Sequence, residues 1–367
     1  MHVICEGLDL SEAIIKVSKA ISGKSTNPIL EGIKLTAAYN ELTLAATDLE
    51  LAIEKKIKAD IKIEGETIIP GKFFSDFVKK LTNEQIELIL SEKNQLTIKY
   101  GDNESQIQCF SSTEYPVLKK IDSGEFFALS QFDLKNLIKK SIFSVAIDDS
   151  RPILKGCLFE IEQQMVSAVS LDGYRLALVK KNLVECTIKN NVIIPSRSLN
   201  EISNILSDTD EIVNVYVQKN YMMVDLKNTK VITRLLEGEF LAYKQIIAKD
   251  FSSIISINKS QFEDSLERVS LLSRIGQNNL VKLELKENTM VLTSNSEIGK
   301  IEEILPINFS GKELSIAFNA RYFLEAMRVI DEETIKIKFN SPNNPCIITA
   351  MESDEFLYLI LPVRMIN

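Results

Sequence analysis

Three stretches of this chain repeat one succession of landmarks about 124 residues apart, and that periodicity constrains the fold more than any other feature. Each copy opens on an amphipathic helix pattern. Leu10, Ala13, Ile14, Val17 and Ile21 share one face in the first copy, Leu134, Leu137, Ile138 and Val145 in the second, and Phe262, Leu266 and Val269 in the third. A second helix pattern follows the strand endings Ile68-Ile69-Pro70, Ile193-Ile194-Pro195 and Ile316-Ala317-Phe318. Gly71, Ser196 and Asn319 are its N-cap candidates, 125 and then 123 residues apart. Between the two helices lies alternating strand sequence with turns at Asp48, Asp172 and Asn295, spaced 124 and 123 residues. The expected fold is α+β: three modules at 1–123, 124–250 and 251–367. Each would have two helices packed on antiparallel sheets of roughly eight strands.

Composition removes several functional classes. With 367 residues, 45% hydrophobic and 26% charged, the chain has a globular profile. It contains no apolar run long enough to span a bilayer. Met1-His2-Val3-Ile4-Cys5-Glu6 carries no basic segment ahead of an apolar one, so no signal peptide is expected. Cys5, Cys109, Cys157, Cys186 and Cys346 form no CxxC pair and read as free thiols of a cytoplasmic protein. The single histidine, His2, leaves histidine triads and histidine metal sites without material, and neither metal nor cofactor is expected.

Two fragments hint at enzymes. Ser22-Gly23-Lys24-Ser25 looks like the end of a phosphate-binding loop, but Ser18 stands where the earlier glycine is required and a helix precedes it. Asp148-Asp149 could hold a metal, yet adjacent acids on a loop are ordinarily just solvated. Binding rather than catalysis is the expected activity.

Charge is unevenly distributed. Segments 10–24, 72–80, 132–140, 196–206, 261–274 and 320–329 carry +2, +2, +2, 0, −1 and +1. They total +6 within a chain of net −8, so the remainder holds −14. Helices basic and sheets acidic would suit a surface that faces phosphates without reading bases, while the outside repels them.

Several short markers run in order along nearly the whole chain. They are Asn27-Pro28-Ile29-Leu30, Thr47-Asp48-Leu49-Glu50, Arg151-Pro152-Ile153-Leu154-Lys155-Gly156, Leu171-Asp172-Gly173-Tyr174-Arg175-Leu176-Ala177, Glu237-Gly238-Glu239-Phe240 and Leu361-Pro362-Val363-Arg364-Met365. In these the chain resembles the bacterial DNA polymerase III beta subunits, the sliding clamps. That resemblance implies a head-to-tail homodimer closing a ring around double-stranded DNA, with helices inward and sheets outward. It implies Lys24, Lys72, Arg151 and Arg197 as DNA-facing residues, with Lys135 and Lys139 beside them. It also implies a pocket between the second and third modules for short clamp-binding peptides of the polymerase alpha subunit, the clamp-loader subunits and other partners. The matching positions are Leu154, Leu171, Gly173, Tyr174, Arg175, Leu176, Leu241, Ile246, Tyr322, Leu361, Pro362, Val363 and Arg364. The dimer contact would pair Ile107 and Cys109 with Leu271 and Leu272.

The family's usual Thr-Asp-Gly-His-Arg is here Leu171-Asp172-Gly173-Tyr174-Arg175, a common proline is Leu241, and a common arginine is Gln245. The ending also runs on through Ile366-Asn367, two residues past the usual stop. These changes bear on peptide preference. The competing reading is a repeat scaffold that binds proteins but not DNA.

Overall fold

The computed structural model of the protein describes residues 1–367 apart from 22, 24–26, 120, 122–123, 149, 189, 275–278 and 365–367. Among the described residues each copy of the repeat holds two helices and nine strands, one strand more than expected. The helices are α1 (Gly7–Val17), α2 (Gly71–Val78), α3 (Gln131–Lys139), α4 (Ser196–Ile205), α5 (Lys259–Ser273) and α6 (Ala320–Met327). Their buried faces follow the apolar spacing: Leu10, Ala13, Ile14 and Val17 in α1, Leu134, Leu137 and Ile138 in α3, Phe262, Leu266 and Val269 in α5. In the third copy the Phe323 ring meets Phe262 and Phe318 edge-on at 5.5 and 5.1 Å. Burying each such ring contributes about 1.5–3 kcal/mol.

Two landmarks move by one residue in the third copy. Gly71 and Ser196 are the first residues of their helices rather than caps. Asn319 is a true cap, its Oδ1 accepting from the Arg321 N–H at 3.0 Å, so the matching first residue is Ala320. Gly71 answers a steric demand instead. A Cβ there would lie 2.4 Å from Ile21 Cδ1 and 2.8 Å from the Glu31 carbonyl oxygen. The turns shift likewise. Pairs Thr47–Ala52, Leu171–Leu176 and Asn295–Lys300 each enclose four residues, so Ser296 rather than Asn295 matches Asp48 and Asp172.

The chain falls into two compact units. One holds Met1–Gln131, Glu185–Ile188 and Asn204–Leu235; the other holds Phe132–Val184, Lys189–Ser203 and Leu236–Asn367. The middle copy is shared between them because its strands enter the sheets of both neighbours. In the first unit a five-stranded sheet runs Asp60–Ile63, His2–Glu6, Gln85–Leu90, Gln95–Tyr100, Asn103–Gln108. A nine-stranded sheet runs Glu185–Cys186, Glu125–Ser130, Ile212–Gln218, Tyr221–Asp225, Thr229–Arg234, Leu51–Lys58, Glu41–Thr47, Gly32–Ala38, Gly65–Pro70.

The second unit repeats the plan. Its nine-stranded sheet runs Val192–Pro195, Gly156–Glu162, Met165–Leu171, Arg175–Asn182, Phe356–Ile360, Cys346–Ala350, Thr334–Phe339, Ser253–Asn258, Asn308–Gly311. Its four-stranded sheet runs Gly299–Pro306, Thr289–Ser296, Leu280–Lys286, Leu314–Asn319.

Each nine-stranded sheet therefore carries a seam where two copies join by antiparallel pairing. At the first seam Thr229–Arg234 lies beside Leu51–Lys58, with Val231 opposite Ile53. At the second, Phe356–Ile360 lies beside Arg175–Asn182, with Tyr358 opposite Ala177. A connecting segment packs on each seam. Leu118 lies against Ala52, Ile121, Met223 and Ile232 and, with Tyr115, against Ile29 and Ile68. Phe240, Tyr243 and Ile247 pack with Leu154, Leu171, Leu176 and Leu359. No helix among the described residues is long and apolar enough to cross a membrane. All five cysteines are free thiols.

Candidate functional site

The second seam gathers most of the residues singled out for a pocket. Its hairpin loop is fixed by Asp172, whose Oδ1 accepts from the Tyr174 N–H at 2.8 Å and the Arg175 N–H at 3.0 Å. Gly173 takes φ +93°, left-handed backbone that glycine enters without Cβ strain, and a Cβ added there would meet Arg151 Nη1 no nearer than 3.9 Å. Beneath the loop, Leu154, Leu171 and Leu176 are buried in one apolar cluster. Leu241, Ile246 and Leu361 keep 49%, 52% and 38% of their surfaces exposed, which is apolar area an apolar partner can cover.

The loop turns Arg175 inward, and its guanidinium is spent within the chain. Nε donates to Asp172 Oδ2 at 3.1 Å, Nη2 to the Phe143 carbonyl at 2.8 Å, and Nη1 to Glu325 Oε2. The same group lies 4.7 Å from the Tyr322 ring centroid. Tyr174, 62% exposed, stacks on Tyr322 with centroids 6.3 Å apart and planes at 22°. Arg175 thus braces the aromatic wall, each of its three nitrogens donating within the chain. Burial pushes the Glu325 carboxyl up, but hydrogen bonds from Arg321 and Arg175 outweigh it and hold the carboxyl below its usual range. Burial first, then the charge of Asp172, raises the Tyr322 hydroxyl.

The last described residues close the other side. The Leu361 N–H donates to the Tyr174 carbonyl at 2.8 Å, and the Val363 N–H to the Ala317 carbonyl at 2.8 Å. Leu361 to Arg364 is therefore stitched between the Tyr174 loop and the strand Leu314–Asn319; Pro362 and Val363 are half-buried and Arg364 exposed.

The cationic positions are less uniform than a charge count suggests. Lys72, Lys139, Arg151 and Arg197 are exposed and Lys135 is half-buried, while Lys24 lies outside the described residues. Lys140, counted among the basic helix positions, is buried and paired with Asp331 at 2.9 Å. Arg268 of α5 is bound to Glu303 at 2.7 Å, and Arg321 of α6 to Glu325 at 2.6 Å, so both of these third-copy cations are paired within the chain. Strand residue Lys55 escaped the helix-based count. Burial, then the neighbouring Lys16, lowers its ammonium against the opposing pull of Glu12 and Asp9.

Of the residues expected at a subunit contact, Leu271 is 61% exposed and Ile107 half-buried. Leu272 and Cys109 are buried in their own chain, and burial pushes the Cys109 thiol up. On its helix Leu272 points about 100° away from Leu271, into the core. Ser22, Lys24, Ser25 and Asp149, the enzyme-like fragments, lie outside the described residues. Among the described residues no group of three or more His, Cys, Asp or Glu side chains could hold a metal.

Comparison with known proteins covers nearly the whole chain. Residues 1–119, 128–241 and 244–364 match the N-terminal, central and C-terminal domains of the DNA polymerase III beta subunit. The beta sliding clamp of Halalkalibacterium halodurans is 33% identical over 379 residues, covering 99% of this chain and 100% of that protein. That of Staphylococcus epidermidis is 33% identical over 94% of each. The crystal structure of the DNA polymerase sliding clamp from Bacillus subtilis superposes with a TM-score of 0.97 at 32% identity, covering 100% of both chains.

Proposed function

The chain belongs to the DNA polymerase III beta subunit family, the sliding clamps, and on that premise we propose how it closes, what it surrounds and what it holds. It is a DNA sliding clamp acting with DNA polymerase III. Our finer reading is a head-to-tail homodimer that encircles duplex DNA in the cytoplasm. It would hold the polymerase alpha subunit, clamp-loader subunits and other partners by short peptides, with no catalytic residue of its own. We take the module boundaries near residues 123 and 250.

The observation that carries this reading is the strand chemistry of the two seams. Both join the last strand of one copy to the strand that follows the four-residue turn of another. Among the described residues the same two strand types stand at sheet edges, each with one side unpaired: Asn103–Gln108 in the first copy and Gly299–Pro306 in the third. Val231, Tyr358 and Ser105 are equivalent, facing Val224, Ile348 and Ile98. Ile53, Ala177 and Ile301 are equivalent, facing Ala46, Ser170 and Ser294. Extending the register would set Ser105 of one copy opposite Ile301 of the next, and a heterologous contact of this kind can close into a ring. Leu271 and Ile107 would supply apolar cover. Lys72, Arg151, Arg197, Lys135, Lys139 and Lys24 would meet phosphates, giving weak, salt-dependent contact that topology makes sufficient.

Light scattering with small-angle X-ray scattering at micromolar concentration should report a dimer with a central hole. Retention on nicked circular DNA should vanish when the circle is linearised. A monomer, or retention unchanged by linearisation, would reject the ring.

A further inference from the structure

The first seam contains a second version of the second-seam loop, in a chemically different form. Asp48 Oδ1 accepts from the Glu50 and Leu51 N–H groups at 3.1 and 2.8 Å, as Asp172 does for Tyr174 and Arg175. Leu49 takes φ +79° where Gly173 takes +93°. A leucine there carries Cβ strain of about 1–2 kcal/mol, and its side chain is nonetheless 60% exposed. Beside it a cleft of about 170 Å³ is lined by Leu49, Leu51, Ala52, Leu118, Tyr221 and Ile232, among others. Val117, 95% exposed, stands at its mouth.

The lining carries two charges, Glu50 and Lys119. The Lys119 ammonium lies 5.7 Å from the Tyr221 ring centroid, and among the described residues no carboxylate is within ion-pair distance of it. Lys34 and Lys56, in the adjoining groove, are by contrast paired with Glu66 and Glu41. The cleft thus offers largely apolar walls with one charge of each sign, and Lys119, beside the Tyr221 ring, is the group an incoming carboxylate can meet.

We propose that this first-seam cleft is a second docking site for an extended peptide, one that seats an apolar side chain against Leu49, Ala52 and Ile232 and a carboxylate on Lys119. The inference rests on reading the second seam as a peptide pocket, since the two loops share backbone and position. With about 170 Å³, room for one aliphatic anchor, the site is proposed as the weaker of the two.

The test is a titration with a capped synthetic peptide bearing a Leu-Phe pair beside an aspartate. Full-length protein should bind two peptides per chain, and a variant lacking 361–367 should keep only the weaker one. In that variant Lys119→Glu should weaken binding at least tenfold, and a peptide with lysine in place of the aspartate should restore it. Leu49→Gly, which relieves strain and so should fold, should weaken it about fivefold. One peptide per chain in the full-length protein, or residual binding indifferent to both substitutions, would overturn the second site. Binding unaffected by removing 361–367 would instead strike at the second-seam pocket.

Discussion

The two seams share a backbone and differ in what they place on it. At both, a last strand pairs with the strand after an aspartate-fixed turn, five residues against five. The first seam follows its aspartate with Leu49, Glu50 and Leu51; the second with Gly173, Tyr174 and Arg175. Leu51 is buried as an ordinary core side chain, whereas Arg175 is a buried cation held by Asp172, Glu325 and the Phe143 carbonyl. Ladder hydrogen bonds between strands ask little of side-chain identity, so a repeat joined this way can keep its joints while its surfaces diverge.

The sharpest way to break that comparison is at Arg175. Arg175→Ala leaves the Phe143 carbonyl without its donor and the partly buried Glu325 with Arg321 alone, and should cost about 2–4 kcal/mol in urea unfolding. A loss within 0.5 kcal/mol would make the buried cation as dispensable as a surface charge. Glu325→Gln should cost about 1.5–3 kcal/mol near neutrality, because it removes the charge from hydrogen bonds to two arginines. The folded-state carboxyl titrates below its usual value. Its stabilisation is therefore complete above the unfolded value of about 4.3 and fades as pH falls through the folded one. The difference between Glu325→Gln and the parent should shrink below about pH 4; a constant difference would remove the charge from the explanation. The smallest effects come from exchanging the turn residues. Gly173→Ala should destabilise by about 1 kcal/mol, and Leu49→Gly should be neutral or stabilise by up to about 1 kcal/mol, both read by thermal unfolding. Equal signs would show that the two turns are not equivalent.

Much of the fold was legible because helices and strands write their periods into the sequence. Leu10, Ala13, Ile14 and Val17 predicted the buried face of α1, and the repeat predicted the alternation of helix and sheet. The one-residue displacements at Ala320 and Ser296 were not legible, since Asn319 and Asn295 are both good turn and cap residues and nothing local ranks them against their neighbours. Leu154, Leu171 and Leu176, chosen by the resemblance, lie buried in one apolar cluster. The Arg175 network was not legible, because Glu325 lies 150 residues away and its partnership exists only after the seam forms. Lys140 shows the same limit: its charge placed it on a surface, and packing placed it inside.

The open strands Asn103–Gln108 and Gly299–Pro306 carry a further consequence. They are unlike edges, so on the pairing proposed above each chain that joins another would bury one and present a fresh one. Nothing in the strands themselves counts chains; the stop comes only when the last edge finds the first. Any change that alters the angle between joined chains without weakening the pairing therefore exchanges a finite object for a linear polymer, and an isolated edge strand added in excess would act as a chain terminator.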